Sequence, residues 1–296
     1  MQACEFGGKV ILITGGTGSF GQAFVKEALK YGVKAIRVYS RNEYLQWQMK
    51  QEFKDDRLRW MIGDVRDINR LRQCMTGVDY VVHAAALKHI LTGQYNPQEV
   101  IKTNVLGAIN IIDLAPQCGV KKILGISTDK VINPSNIYGA SKMVMETVFR
   151  ESNRWVMPGT IVSCARFGNF FESHGNVFEL WAKQSVTETI TLTSEDMMRY
   201  FIHTEEAAKF AVKCLEIMQG NEIFIPKMTE YKMLDLAKKN YPDCRIKVIG
   251  KYEGERHREP LFTPDEKAHD MGDYWVIEAN NKQPEYFIAG GYFGET

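Results

Sequence analysis

The stretch "KVILITGGTGSFGQAFVKEAL", residues 9–29, decides the fold. A short β-branched apolar run, residues 9–14, breaks at once into glycines and resumes as a segment with helical periodicity. Gly15, Gly18 and Gly21 fall between the two. A turn that tight needs residues without a Cβ, both for its dihedrals and for the close approach of a pyrophosphate, and the helix beyond offers its N-terminal amides to the anion. Alone, a glycine-rich turn is weak evidence. Between a strand and a helix it reads as a dinucleotide site.

Outward from that turn the pattern repeats. Residues 35–40, 58–63, 79–84, 121–127 and 161–167 read as further strands, with helical segments between them. Strand and helix alternating at this spacing give the fold class: α/β, a Rossmann-like doubly wound parallel sheet. Such sheets take ligands beyond the carboxyl ends of their strands. After about residue 168 the alternation weakens to short extended pieces and helices, read as a smaller mixed α/β C-terminal lobe. The expected division is residues 1–168 for the dinucleotide domain and 169–296 for the substrate lobe, with some exchange of chain between them.

Composition narrows the class. With 37 basic against 36 acidic residues in 296, no broad field for nucleic acid or a membrane surface exists. The six cysteines (4, 74, 118, 164, 214 and 244) show neither a C-x-x-C pair nor metal-ligand spacing, so isolated thiols in a reducing compartment and no metal are expected. No run reaches the roughly 18 apolar residues of a membrane span and no leader is visible, so a cytoplasmic protein is expected.

The second strand refines the cofactor. It ends "VYSRNE", 38–43, where an acid would take the ribose hydroxyls of NAD. Ser40 and Arg41 instead suit a 2′-phosphate, which points to NADP. Asp64 and Val65 of "GDVRD" fall where an adenine would lie. Ala84, Ala85 and Ala86 of "HAAALKH" allow close contact with the cofactor. Thr17, Ser19 and Phe20 share the glycine turn and complete the expected contacts.

The segment "STDKVINPSNIYGASK", 127–142, carries two proton-transfer pairs. Tyr138 and Lys142 lie four apart, on one helical face. A phenol with an ordinary pKa of about 10 needs neighbouring positive charge, from Lys142 and an oxidised nicotinamide, to act as a base. Asp129 and Lys130 form an adjacent acid and base whose protons titrate as one unit. Burial, with the positive charge of Lys142, is expected to move the proton from Lys130 to Asp129 when substrate binds.

"TGGTGSFG", "GDVRD", "HAAALKH", "STDK…YGASK" and "RFGN", in this order, resemble the extended short-chain dehydrogenase/reductases. Among these the chain is most similar to the NADP-dependent UDP-N-acetylglucosamine 4,6-dehydratases of the soluble, C5-inverting type. The resemblance reaches "IFIPKMTEYKMLDLAKK" and "GERHRE" in the second half. It implies that C4 of the sugar is oxidised with Tyr138 as base and that Thr128 steers the C4 oxygen. Lys130 would take the C5 proton, and Asp129 would give one to the departing C6 hydroxyl. It further implies that Lys88 and His89 lie near cofactor and substrate, that Asn169 binds the sugar nucleotide, that Arg199 contacts its phosphates, and that Arg256 holds the nucleotide with Glu255 and Glu259 nearby. Asn104 would position Tyr138 or make a plain polar contact. A homo-oligomer through 98–115 and 138–152 is implied by resemblance alone. The family's usual turn after "GN" is replaced by Glu172-Ser173-His174-Gly175, Met197 and Met198 precede Arg199, and Gln94 stands for an acid. These departures leave the sugar, the C5 stereochemistry, an unsaturated-sugar product, an epimerase and a scaffold without turnover as open alternatives.

Overall fold

Runs of apolar β-branched residues bury on both faces when a parallel sheet is covered by helices on each side. The computed structural model, which describes residues 6–154 and 159–278, shows this arrangement. Cys4 and residues 279–296 lie outside the described residues. Strands β1 (Val10–Thr14), β2 (Ala35–Ser40), β3 (Leu58–Ile62), β4 (Tyr80–His83), β5 (Lys122–Thr128) and β6 (Ile161–Phe167) form within a residue or so of the expected positions. They pair in parallel in the order β3-β2-β1-β4-β5-β6. The order reverses between β1 and β4, which opens the crevice above their carboxyl ends.

Beyond β6 the chain serves two places. Strands β7 (Asn169–Phe170), β8 (Thr189–Leu192) and β9 (Met198–Ile202) build the small lobe. Then β10 (Ile223–Pro226) returns to lie parallel to β6. β11 (Thr229–Lys232) pairs antiparallel with β9, and β12 (Arg245–Val248) lies parallel to β8. Finally β13 (Ala268–Asp270) and β14 (Tyr274–Ile277) close the edge antiparallel, making a nine-stranded sheet.

The helices are α1 (Ser19–Ala28), α2 (Glu43–Phe53), α3 (Ile68–Met75), α4 (Ile90–Tyr95), α5 (Pro97–Ile101), α6 (Gly107–Cys118), α7 (Ile137–Ser152), α8 (Val177–Gln184), α9 (Thr204–Ile217) and α10 (Met233–Asn240). On one face of the sheet α1 and α9 bury Phe24, Val212 and Leu215, and on the other α3, α6 and α7 bury Leu71, Ile111 and Phe149. A separate cluster around Trp181, Ile190 and Phe201 is the core of the small lobe. The segment after His89 is the short helix α4. The long helix that follows is interrupted by a π-turn at Lys102–Leu106. Among the described residues no helix is long and apolar enough to cross a membrane, and no cluster of side chains could hold a metal ion.

Candidate active site

The sheet topology brings the glycine turn, the end of β4, the β5–α7 junction and the small lobe around one cleft of about 830 Å³. At its floor Gly15 has φ +68°, and a Cβ there would lie 2.8 Å from the Ala85 nitrogen and 2.9 Å from the Ala84 carbonyl. The first and fourth strands therefore meet as bare backbone, as a cofactor approaching the turn requires. Gly18 caps α1 without a side chain, and Gly21 packs under the same turn. Ser19, Phe20, Ala84, Ala85 and Ala86 line the cleft. Thr17 is buried, its carbonyl accepting from Gln22 Nε2 at 2.9 Å.

Just past the end of β2 the Arg41 guanidinium is half exposed and stands 3.9 Å from Asp64. Ser40 Oγ accepts from Gln46 Nε2 at 3.0 Å. Burial would raise the Asp64 carboxyl, but hydrogen bonds from Arg66 outweigh it and hold it low. Tyr39 Oη donates to the Asp64 carbonyl at 2.7 Å, and Asn110 Nδ2 donates to the Val65 carbonyl at 2.9 Å, which fixes this rim.

The chemical cluster grows from the end of β5. Thr128 closes the strand and Asp129–Val131 make a 3₁₀ turn. The Asn136 side chain then caps α7 by accepting from the Gly139 amide at 2.9 Å. Gly139 is dictated by packing, because a Cβ there would fall 2.2 Å from the Lys130 carbonyl oxygen. Helix α7 thus rests directly on the turn that carries the acid and base.

Lys130 Nζ donates to Glu259 Oε2 at 2.8 Å, to Asp129 Oδ1 at 3.1 Å and to Asn169 Oδ1 at 3.4 Å. Asp129 is fully buried, its Oδ1 also accepts from Thr128 Oγ1 at 3.1 Å, and its Oδ2 has no hydrogen-bond partner among the described residues. Burial pushes the Asp129 carboxyl up to about 6, with Lys130 opposing and Glu259 reinforcing. Burial alone would favour the free amine of Lys130, but the two carboxylates outweigh it and push the ammonium's pKa up. For Glu259 the cations Lys130 and Arg199 overcome burial and keep it ionised. Burial raises the Tyr138 phenol, and Lys130 and a hydrogen bond with Thr128 pull it partly back. Lys142 is buried, rests at 3.0 Å from Met145 Sδ, and is pushed down to about 8 by burial.

Thr128, Lys130, Tyr138, Lys142, Lys88, His89 and Asn169 converge on the cleft as expected. With no substrate present, the Asp129 and Glu259 carboxylates favour the proton on Lys130, the resting state from which substrate binding is expected to move it. Two expectations need correction. Asp129 does not open onto the cleft and reaches it only through Thr128 and Lys130. Glu259, expected at the nucleotide, belongs instead to the proton-transfer cluster.

Both lobe arginines are engaged by groups of the protein itself. Arg199 lines the cleft, but it donates to Glu259 at 3.1 Å and to the Met198, Arg256 and His257 carbonyls at 2.7, 2.8 and 3.1 Å, with Glu255 at 3.7 Å. Arg256 donates to the Ile132 and Asn133 carbonyls and so ties the C-terminal segment to the turn behind Lys130. Asn104 spends its amide on both backbone groups of Leu87 and on Ser141 Oγ, clasping the loop after β4 to α7. The added acid Glu172 accepts from the Thr204 amide at 2.9 Å and from His203 at 2.5 Å, capping α9 outside the cleft. Gln94 donates to the Glu253 carbonyl at 3.1 Å. Ser173 and the His174 carbonyl meet Lys88 Nζ at 3.2 and 3.0 Å, and the His174 amide donates to Ser19 Oγ, so this turn folds over the glycine loop. Sequence reasoning missed Lys183, Thr193 and Tyr252, which line the outer cleft. Their only signal was position within the lobe.

A doubly wound sheet with a glycine turn after β1, small residues after β4, and Thr128, Tyr138 and Lys142 at the β5–α7 junction defines a short-chain dehydrogenase/reductase of the extended, two-lobed kind. Within that class the chain belongs to the polysaccharide biosynthesis protein family, whose pattern matches residues 11–279. It is 40% identical over 283 residues, 94% of this chain and 85% of the relative, to UDP-N-acetylglucosamine 4,6-dehydratase (inverting) of Campylobacter jejuni. It is 36% identical over 95% of its length, and 87% of the relative, to UDP-glucose 4-epimerase of Rickettsia conorii. The crystal structure of Pen from Bacillus thuringiensis superposes with TM-score 0.89 at 34% identity, covering 93% of this chain and 90% of that one.

Proposed function

We propose that this protein is a nucleotide-sugar 4,6-dehydratase acting on UDP-N-acetylglucosamine with inversion at C5. The observation that carries this reading is the Asp129–Lys130 pair, which stands with Tyr138 and Lys142 around one cleft. Oxidation or epimerisation at C4 needs only the tyrosine and its lysine. Loss of water across C5 and C6 needs an additional base and acid.

NADP would lie along Gly15, Ser19, Phe20 and Ala84–Ala86, with its 2′-phosphate at Arg41. When bound, the dinucleotide would supply a hydride acceptor for C4 and a hydride donor for C6, with no net redox change. Tyr138 accepts the C4 hydroxyl proton, and Thr128 holds the C4 oxygen. Lys130 removes the C5 proton that the C4 ketone has acidified. The proton held by Asp129 reaches the departing C6 hydroxyl through Thr128, since Asp129 itself is sealed. Lys183, which lines the cleft, and Lys88, once released from Ser173 and the His174 carbonyl, would face the diphosphate.

A second copy of the chain would cover α5, the π-turn and α7, where Ile101, Leu106, Met143 and Val144 are about 40% exposed.

The test is proton NMR of the purified protein with NADP and UDP-N-acetylglucosamine in deuterated water. A growing C6 methyl signal with deuterium at C5 is expected, and the ring couplings report the C5 configuration. Vinylic C6 protons would replace this reading with an unsaturated-sugar enzyme. Inversion at C4 with the hydroxymethyl group kept would make it an epimerase.

A further inference from the structure

Lys130 is held by two carboxylates, and the dehydratase chemistry accounts for only one of them. Asp129 comes from the same 3₁₀ turn, whereas Glu259 arrives from the C-terminal segment 129 residues later. Glu259 makes the shorter contact, 2.8 against 3.1 Å. Its carboxylate is also fixed by Arg199 Nε at 3.1 Å. Glu259 is buried and does not open onto the cleft, so it touches Lys130 without being placed to touch a sugar.

We propose that Glu259 is a positioning residue for the elimination step, the fixed anion that makes Lys130 basic enough to take the C5 proton. The inference rests on the dehydratase reading. In that step the Lys130 lone pair takes the proton, and the C5–H electron pair becomes the second C5–C6 bond. The C6–O bond breaks, and the leaving oxygen departs as water with the proton relayed from Asp129 through Thr128. Lys130 ends as an ammonium and Asp129 as a carboxylate, so the step starts from the pair with its proton already moved from Lys130 to Asp129 on substrate binding, and it returns the pair to its resting charges. Two carboxylates around one lysine thereby divide the work. Asp129, with an orphan oxygen and no cation besides Lys130, exchanges its proton. Glu259, anchored by Arg199, keeps its charge and stabilises the ammonium as it forms.

The charged and titratable groups facing this pair are Glu259, Arg199, Tyr138 and, more distantly, Lys88. Replacing Glu259 by glutamine removes one negative charge while keeping shape and most hydrogen bonding. Both limbs of the pH profile should then move to lower pH, because the charge of Glu259 raises the proton affinity of Asp129 and of Lys130 alike. The elimination rate should fall roughly 10- to 100-fold, the scale of a lost hydrogen bond to a charged group. Because C4 oxidation survives, reduced nicotinamide should accumulate on the enzyme in a single turnover, and Glu259→Asp should restore part of the rate. Apart from turnover, the carboxyl carbon signal of Asp129 in cofactor-free protein should titrate near 6 in the parent. In Glu259→Gln it should titrate lower.

A Glu259→Gln protein with both limbs and the Asp129 titration unmoved would overturn the inference, even if its rate were lower. If the parent itself yields no C6 methyl product, the dehydratase reading fails instead. The two failures are therefore separable.

Discussion

Arg166 and Glu146 form a bidentate pair at 3.0 and 2.7 Å, sealed from solvent between β6 and α7. The other side of the same guanidinium holds Glu266 at 3.0 and 2.8 Å and the Leu261 carbonyl at 2.9 Å. One cation therefore fastens the helix of Tyr138 and Lys142 to the segment that delivers Glu259.

Removing this cation leaves Glu146 buried and unpaired. Arg166→Met should cost about 3–5 kcal/mol, the range for breaking a buried ion pair from one side. The check is urea unfolding, in which the midpoint should fall while the slope stays constant. Removing both charges, as Arg166→Met with Glu146→Leu, should recover part of the loss. A single variant within 1 kcal/mol of the parent would mean that the pair is not desolvated in solution.

Gly15 and Gly32 both have φ +68°, but only Gly15 has backbone within reach of a Cβ. Gly32→Ala should cost about 1–2 kcal/mol from left-handed strain alone and leave cofactor binding unchanged. Gly15→Ala adds a collision with the Ala84–Ala85 peptide and must part β1 from β4. Calorimetric titration with NADP should show affinity lower by more than about tenfold in Gly15→Ala only, a loss above about 1.4 kcal/mol. Equal affinities in the two variants would dissociate the turn from the cofactor.

The sheet was legible because its signals are local. Each strand is a β-branched run with its own stop, and Gly15 and the 138–142 spacing lie within one βα unit each. Side-chain direction was not legible. "MMRYF" and "GERHRE" show that two arginines exist in the lobe, but whether a guanidinium faces solvent, a phosphate or a carbonyl is decided by partners far along the chain. Arg199 is saturated by residues 255–259, and Glu259 meets Lys130 across 129 positions. Glu172 looked like a change at the substrate because it follows "GN", yet it caps α9, which starts only where β9 ends. The return of β10 and β14 to the large sheet was equally non-local.

Arg41 should set the choice between dinucleotides. Its only acidic neighbour within 4 Å among the described residues is Asp64 at 3.9 Å, already engaged by Arg66 at 2.7 Å, so the guanidinium is available to a 2′-phosphate. Arg41→Ala should weaken NADP roughly 10- to 100-fold, the scale of charge-assisted hydrogen bonds, and change NAD affinity little. Fluorescence titration with both dinucleotides measures the ratio. A parallel loss for NAD would assign Arg41 to the adenine or to the fold.

Lys142 places a functional group at a cost in stability. Its ammonium is buried against Met145, and the charged or titratable groups around it are Cys164 on β6, Glu146 on α7 and His83 on β4. Burial lowers its pKa from 10.5 to about 8, which corresponds to about 3 kcal/mol of destabilisation below pH 8. Between pH 8 and 10.5 the unfolded chain binds more protons at this position than the folded chain does, so the contribution of Lys142 makes stability rise with pH across that window. Lys142→Met should therefore be more stable than the parent near pH 7 by about 2–3 kcal/mol, and the difference should shrink toward zero by pH 10.5. The same variant should be inactive in the C6 methyl assay, since the Tyr138–Lys142 pair proposed for C4 oxidation then lacks its lysine. Urea unfolding of both proteins at pH 7, 9 and 10.5 isolates the lysine, because the other groups that titrate there are common to both. A stability difference that stays constant across this range would show that Lys142 titrates normally, and the burial argument for its role beside Tyr138 would fall with it.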